Sequence, residues 1–97
     1  TLAVDVAAIV ACVDNGDDAP VMLDLTPTEF SLLATLLRSP AHPFSRQYLL
    51  EHCLPESEAL ERVVDTHIYN LRKKLEAVGI SGVLINVRGV GYRFRQP

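Results

Sequence analysis

Residues 60–79 read LERVVDTHIYNLRKKLEAVG, and this one segment carries two surfaces of opposite character. Leu60, Val64, Ile68, Leu71, Leu75 and Val78 recur at intervals of three and four, which at about 100° per residue gathers them into a single apolar stripe. The spacing predicts a helix from about Glu58 to Val78, buried along that stripe. Gly79 ends it, as the residue that most readily turns left-handed. On the opposite side Arg62, Thr66, Tyr69, Asn70 and Lys73 repeat at the same period, mixing cations with groups that make directed hydrogen bonds. The helix is anchored by one face and chemically armed on the other.

Downstream lies NVRGVGYRF, residues 86–94, two strand-like runs joined through Arg88-Gly89-Val90-Gly91. This is the pattern of a β-hairpin, with Val87, Tyr92 and Phe94 seeking burial and Arg88 at the tip. Upstream, Thr26-Pro27-Thr28-Glu29 opens an earlier helix. Thr26 caps free amides, Pro27 suits the first helical position, and Glu29 reaches back to complete a capping box. Phe30, Leu33, Leu36 and Leu37 form its apolar face, and the SPAHP run stops it near residue 38. Ser45 caps a short helix to about Cys53, with Arg46 in its first turn, Tyr48, Leu49 and Leu50 on its buried side, and Leu54-Pro55 as breaker. The opening third is rich in Val, Ile and Leu and is cut by Asn15-Gly16-Asp17-Asp18, which predicts strands near 2–5, 9–13 and 20–25 in a small antiparallel sheet. The order is sheet (1–25), three helices (26–79), hairpin (83–95). That is the α+β plan of a winged helix-turn-helix in a single domain spanning residues 1–97.

The chain has 97 residues, room for one core and not two. With 48% hydrophobic and 22% charged residues it has the composition of a globular protein. No apolar run is long enough to span a bilayer and no signal-peptide pattern opens the chain, so a soluble, cytoplasmic protein with no membrane partner is expected. A start at Thr1 that runs at once into a strand pattern suggests a domain cut from a longer protein. Cys12 and Cys53 belong to no CxxC pair, and His42, His52 and His67 have no metal spacing, so packed thiols and no metal are expected. No catalytic motif occurs and no cofactor is implied; VRGVG joins two strands and is not a dinucleotide fingerprint. Net charge is −3, which alone argues against a nucleic-acid ligand. Its distribution argues the other way. Residues 62–97 carry seven basic and two acidic groups, whereas residues 1–61 carry two basic and ten acidic. Such asymmetry suits an anion-binding end on a partner-facing module.

An α-helix fits the major groove of B-form DNA, where each base pair presents its own pattern of donors, acceptors and methyl groups. Arg62, Arg72 and Lys73 can neutralise phosphates, while Tyr69 and Asn70 can hydrogen-bond, Asn being suited to adenine. A stiff hairpin can carry Arg88 to the adjacent minor groove, whose narrow walls concentrate negative potential. Gly89 and Gly91 let its turn tighten and approach the DNA backbone closely.

The runs LTPTEFSLLATLL, SRQYLLEH, VVDTHIYNLRKKLE and VRGVGYRF resemble, in order, the successive signatures of the OmpR/PhoB family of response-regulator effector domains. The resemblance is close over about residues 20–95. It implies transcriptional control in a two-component system by a DNA-binding domain tethered behind a phosphorylatable receiver domain that this chain lacks. Two copies would lie head-to-tail on direct-repeat half-sites. By position it implies phosphate or base contacts from Arg46, Arg62, His67, Tyr69, Asn70, Arg72, Lys73, Asn86, Arg88 and Tyr92, alongside Thr66 on the exposed helix face and Gly89 in the turn. Where the family often has basic residues this chain has Tyr69 and Asn70, so other members' base preference does not carry over. The 54–61 loop, with Glu56, Glu58 and Glu61, is similar in position to the segment that touches RNA polymerase, although Cys53-Leu54-Pro55 replaces an aromatic common there.

Some residues keep two readings. His67, at the edge of the stripe, suits packing as well as a phosphate contact; Tyr92 and Phe94 suit hairpin core as well as base stacking. Arg93 and Arg95 serve solubility. The acidic 51–61 stretch and the N-terminal sheet also fit a winged-helix protein-interaction module without specific DNA binding.

Overall fold

The computed structural model describes residues 2–5, 10–13, 21–54 and 60–95. Its first sheet joins β1 (Leu2–Asp5), β2 (Val10–Val13) and β3 (Val21–Met22) in antiparallel order β1-β2-β3, with Leu2 opposite Val13 and Cys12 opposite Met22. The third strand is shorter than its composition predicts, because residues 23–25 leave the ladder to lead into a helix. The Asn15–Asp18 turn lies outside the described residues.

Helix α1 (Pro27–Arg38) starts on the capping box expected of its sequence. The Glu29 amide donates to Thr26 Oγ1 at 3.1 Å and the Thr26 amide to Glu29 Oε1 at 2.9 Å. A two-residue strand, β4 (Phe44–Ser45), precedes α2 (Arg46–Cys53), whose Ser45 cap accepts from the Tyr48 amide at 3.0 Å. Helix α3 runs over Arg62–Ala77. It ends in a Schellman arrangement: Gly79, at φ +86°, donates to the Glu76 carbonyl and Ile80 to that of Leu75.

The core lies where the three helices meet. Leu32, Leu33, Leu36, Leu49, Val64, Ile68, Leu71 and Leu75 are fully buried there, and Phe30, Cys53, Leu54, Val83, Leu84 and Tyr92 close it. Burying a Leu or Ile side chain stabilises by about 1.5–3 kcal/mol, so this cluster fixes the orientation of α3. Two expectations fail at its margin. Helix α3 begins at Arg62 rather than near Glu58, which leaves Leu60 outside it and 61% exposed; residues 55–59 of the proposed polymerase-contacting loop lie outside the described residues. Tyr48 is likewise not core: it stands at the surface between Phe44 and His52, stacked on the His52 ring at 3.9 Å.

The C-terminal hairpin, β5 (Leu84–Val87) and β6 (Gly91–Phe94), is joined by β4 in a second antiparallel sheet of order β4-β6-β5. Phe44 pairs with Tyr92, Ser45 with Gly91, and Asn86 also with Tyr92. The wing is thus a three-stranded sheet whose first strand feeds straight into α2. At Gly91 an added Cβ would stand 2.1 Å from the Phe44 carbonyl oxygen. Its lack of a side chain admits the neighbouring strand, a reason different from the approach to DNA that the sequence suggested.

Candidate nucleic-acid interface

On α3, Arg62, Thr66, Tyr69, Asn70 and Lys73 are all exposed, on the side away from buried Val64, Ile68, Leu71 and Leu75. Lys73 Nζ sits 5.4 Å from the centre of the Tyr69 ring, a cation-π contact that ties the two side chains into one feature. His67 falls on the other edge of the buried stripe, half-buried, so the structure does not bring it into the exposed row.

Helical spacing puts Asp65 and Arg72 on the border between the buried stripe and that row, and both touch the wing. Arg72 donates through Nη2 to the Leu84 carbonyl at 3.0 Å and to Asn86 Oδ1 at 3.2 Å. Tyr92, only 5% exposed, donates its hydroxyl to Asp65 Oδ1. The same carboxylate oxygen holds Arg46 Nε at 3.1 Å. Arg72, Asn86 and Tyr92, expected to face a ligand, are therefore at least partly spent on fixing the wing against α3. Of the two readings of Tyr92, its burial supports hairpin core, and its hydroxyl is bonded to Asp65. Burial first, then the Asp65 carboxylate, pushes its phenol up to about 12, since ionisation would place two negative charges together.

The opposite flank of α3 is clamped too. Lys74 Nζ lies 2.6 Å from Glu29 Oε1, the oxygen that also accepts from the Thr26 amide. Burial raises the Glu29 pKa, but the Lys74 ammonium and the Thr26 donors outweigh it, holding the carboxyl below its ordinary value.

At the tip of the wing, Val90 donates its amide to the Val87 carbonyl at 2.9 Å across a turn with Arg88 and Gly89 at its centre. Gly89 has φ +78°, a conformation that other residues adopt only under strain. Arg88, Gly89 and Val90 are exposed. A cleft of about 590 Å³ opens between this turn and the start of α2, lined by Ser45, Arg46, Gln47, Glu61 and residues 86–92. Among the described residues Arg62, Lys73 and Arg88 form no ion pair.

Asp65 was missed by sequence reasoning, and so was β4. A lone carboxylate in a basic segment looks like solvated charge, and its partners lie 19 residues before it and 27 after.

Residues 20–94 match the family model described as "Transcriptional regulatory protein, C terminal". The chain is 48% identical over 75 residues to the transcriptional regulatory protein BaeR of Escherichia coli O6:H1, covering 75% of this chain and 31% of BaeR. It is 45% identical over 78 residues to the phosphate regulon transcriptional regulatory protein PhoB of Klebsiella pneumoniae, covering 79% of this chain and 33% of PhoB. The chain thus spans about a third of the length of these curated relatives. The crystal structure of the DNA-binding domain of the response regulator AdeR, in complex with an intercistronic region, superposes with a TM-score of 0.88 at 40% identity, covering 98% of this chain and 94% of that one. Among the described residues no helix is long and apolar enough to cross a membrane.

Proposed function

Since the chain belongs to the OmpR/PhoB family of response-regulator DNA-binding domains, we propose that it regulates transcription by binding double-stranded DNA sequence-specifically, with no enzymatic step. Helix α3 enters the major groove, where Tyr69 and Asn70 meet base edges and Arg62, Thr66 and Lys73 meet phosphates or bases. The wing carries Arg88 to the neighbouring minor groove. Arg46 meets a phosphate from the start of α2. Two copies occupy direct-repeat half-sites, a receiver domain elsewhere in the full protein governs their pairing, and the 54–61 loop meets RNA polymerase in the cytoplasm.

One observation carries this reading. The exposed row of α3 and the arginine-tipped turn are held in fixed relation by Arg72 and Asp65, so two cationic probes of different shape are presented together. Nothing in a protein-interaction module requires that pairing. Selection of duplexes from a random pool tests it: enriched sites should contain repeats about one helical turn apart. Arg88→Ala should weaken binding to such a site by about 1–3 kcal/mol. Failure to enrich any duplex at low salt would refute the reading, and unchanged affinity of Arg88→Ala would remove the wing from it.

A further inference from the structure

A carboxylate is out of place on a surface meant for phosphate. Asp65 nevertheless sits in the first turn of α3, about one third exposed, beside the cleft lined by Arg46 and Arg88. Its long-range repulsion must weaken DNA binding, so its local contacts have to account for its presence. They are specific. Oδ1 alone takes Arg46 Nε and the Tyr92 hydroxyl, one from the first residue of α2 and one from β6.

We propose that Asp65 is a positioning residue for DNA binding, which aims the Arg46 guanidinium into the cleft and locks the wing to the reading helix through Tyr92. Guanidinium has five N–H donors in a rigid fork. With the ion pair made at Nε, the two terminal nitrogens can face a phosphate, and half of the Arg46 side chain is exposed to receive one. Tyr92 pairs with both Phe44 and Asn86, so holding its ring holds β4 and β5 as well. One oxygen thus sets the relation of α2, α3 and the wing.

The inference rests on the DNA-binding reading, and its test gives an opposite sign to plain electrostatics. Removing a negative charge from a DNA surface should tighten binding; removing an anchor should loosen it. With the full chain and a selected duplex, Asp65→Ala is expected to bind at least about tenfold more weakly. The isosteric Asp65→Asn keeps an acceptor oxygen and should fall between Ala and wild type. In an Arg46→Ala, Tyr92→Phe background the Asp65→Ala loss should shrink severalfold, because the groups it positions are gone. Circular dichroism selects folded variants, and Asp65→Asn carries the test if Asp65→Ala does not fold. Binding by either variant as tight as wild type, or an undiminished loss in the double background, overturns the proposal. If wild type itself binds no duplex, the functional reading fails instead.

Discussion

Gly91 and Gly89 stand two residues apart in the wing, and replacing each with alanine should fail for different reasons. At Gly91 the new methyl would lie 2.1 Å from the Phe44 carbonyl oxygen, 3.0 Å from Ser45 Cα and 3.1 Å from the Arg46 amide nitrogen. A relaxed carbon-oxygen contact is about 3.3 Å or more, so the strands must separate by about 1 Å. All three neighbours are backbone atoms of the β4–α2 junction, which no rotamer change can move aside. Overpacking of this kind costs about 1–3 kcal/mol, and losing the short β4 pairing adds about 1 kcal/mol per hydrogen bond. A total of about 2–4 kcal/mol follows, which in a domain of this size lowers Tm by about 10–25 °C. At Gly89 no atom lies within 4 Å of an added Cβ, and the penalty is only that of φ +78°, about 1–2 kcal/mol. Asparagine separates the two cases, since it tolerates positive φ yet still carries a Cβ. Urea unfolding should therefore rank Gly89→Asn above Gly89→Ala, with Gly91→Asn no better than Gly91→Ala. A Gly91→Ala midpoint equal to that of wild type would refute the close approach of β4 to β6.

Ile68→Ala, in the middle of the fully buried face of α3, should lose about 2–5 kcal/mol in the same assay; a loss under 1 kcal/mol would mean that the helix faces are misassigned. Glu29 has its folded-state pKa depressed, so its contribution is present above the ordinary carboxylate range and is lost as pH falls through the folded value. Glu29→Gln should accordingly flatten the acid limb of stability against pH, and an unchanged limb would remove the Glu29–Lys74 clamp from the account. Tyr92 has the opposite sign. Its raised phenol lends stability that is complete below about pH 10 and lost as pH rises toward about 12, and Tyr92→Phe should abolish that alkaline loss.

Local signals were the legible ones. Thr26, Pro27 and Glu29 announce α1 within four residues, and Gly79 announces the end of α3, because capping is settled by neighbours in the chain. The stripe from Val64 to Leu75 also reads directly, since burial imposes its period on sequence. Leu60 fits the period but lies beyond the helix start, where the pattern carries no information about phase or end. Strand β4 has two residues, too few for alternation to register, and its place is set by Gly91 on a strand far along the chain. The candidate site divides in the same way. Its exposed row on α3 follows from helical spacing. The engagement of Arg72 with Leu84 and Asn86, and of Asp65 with Arg46 and Tyr92, depends on tertiary placement that no local pattern encodes.

Lys73 and Lys74 are adjacent in sequence and point to different fates, one exposed over Tyr69 and the other bound to Glu29. The slope of log affinity against log salt on a selected duplex measures how many phosphates the protein neutralises. With folding verified by circular dichroism, Lys73→Ala should reduce that slope by about 1 and Lys74→Ala should leave it unchanged. Equal slopes for Lys73→Ala and wild type, or a drop for Lys74→Ala instead, would contradict the assignment of the exposed face of α3 to DNA.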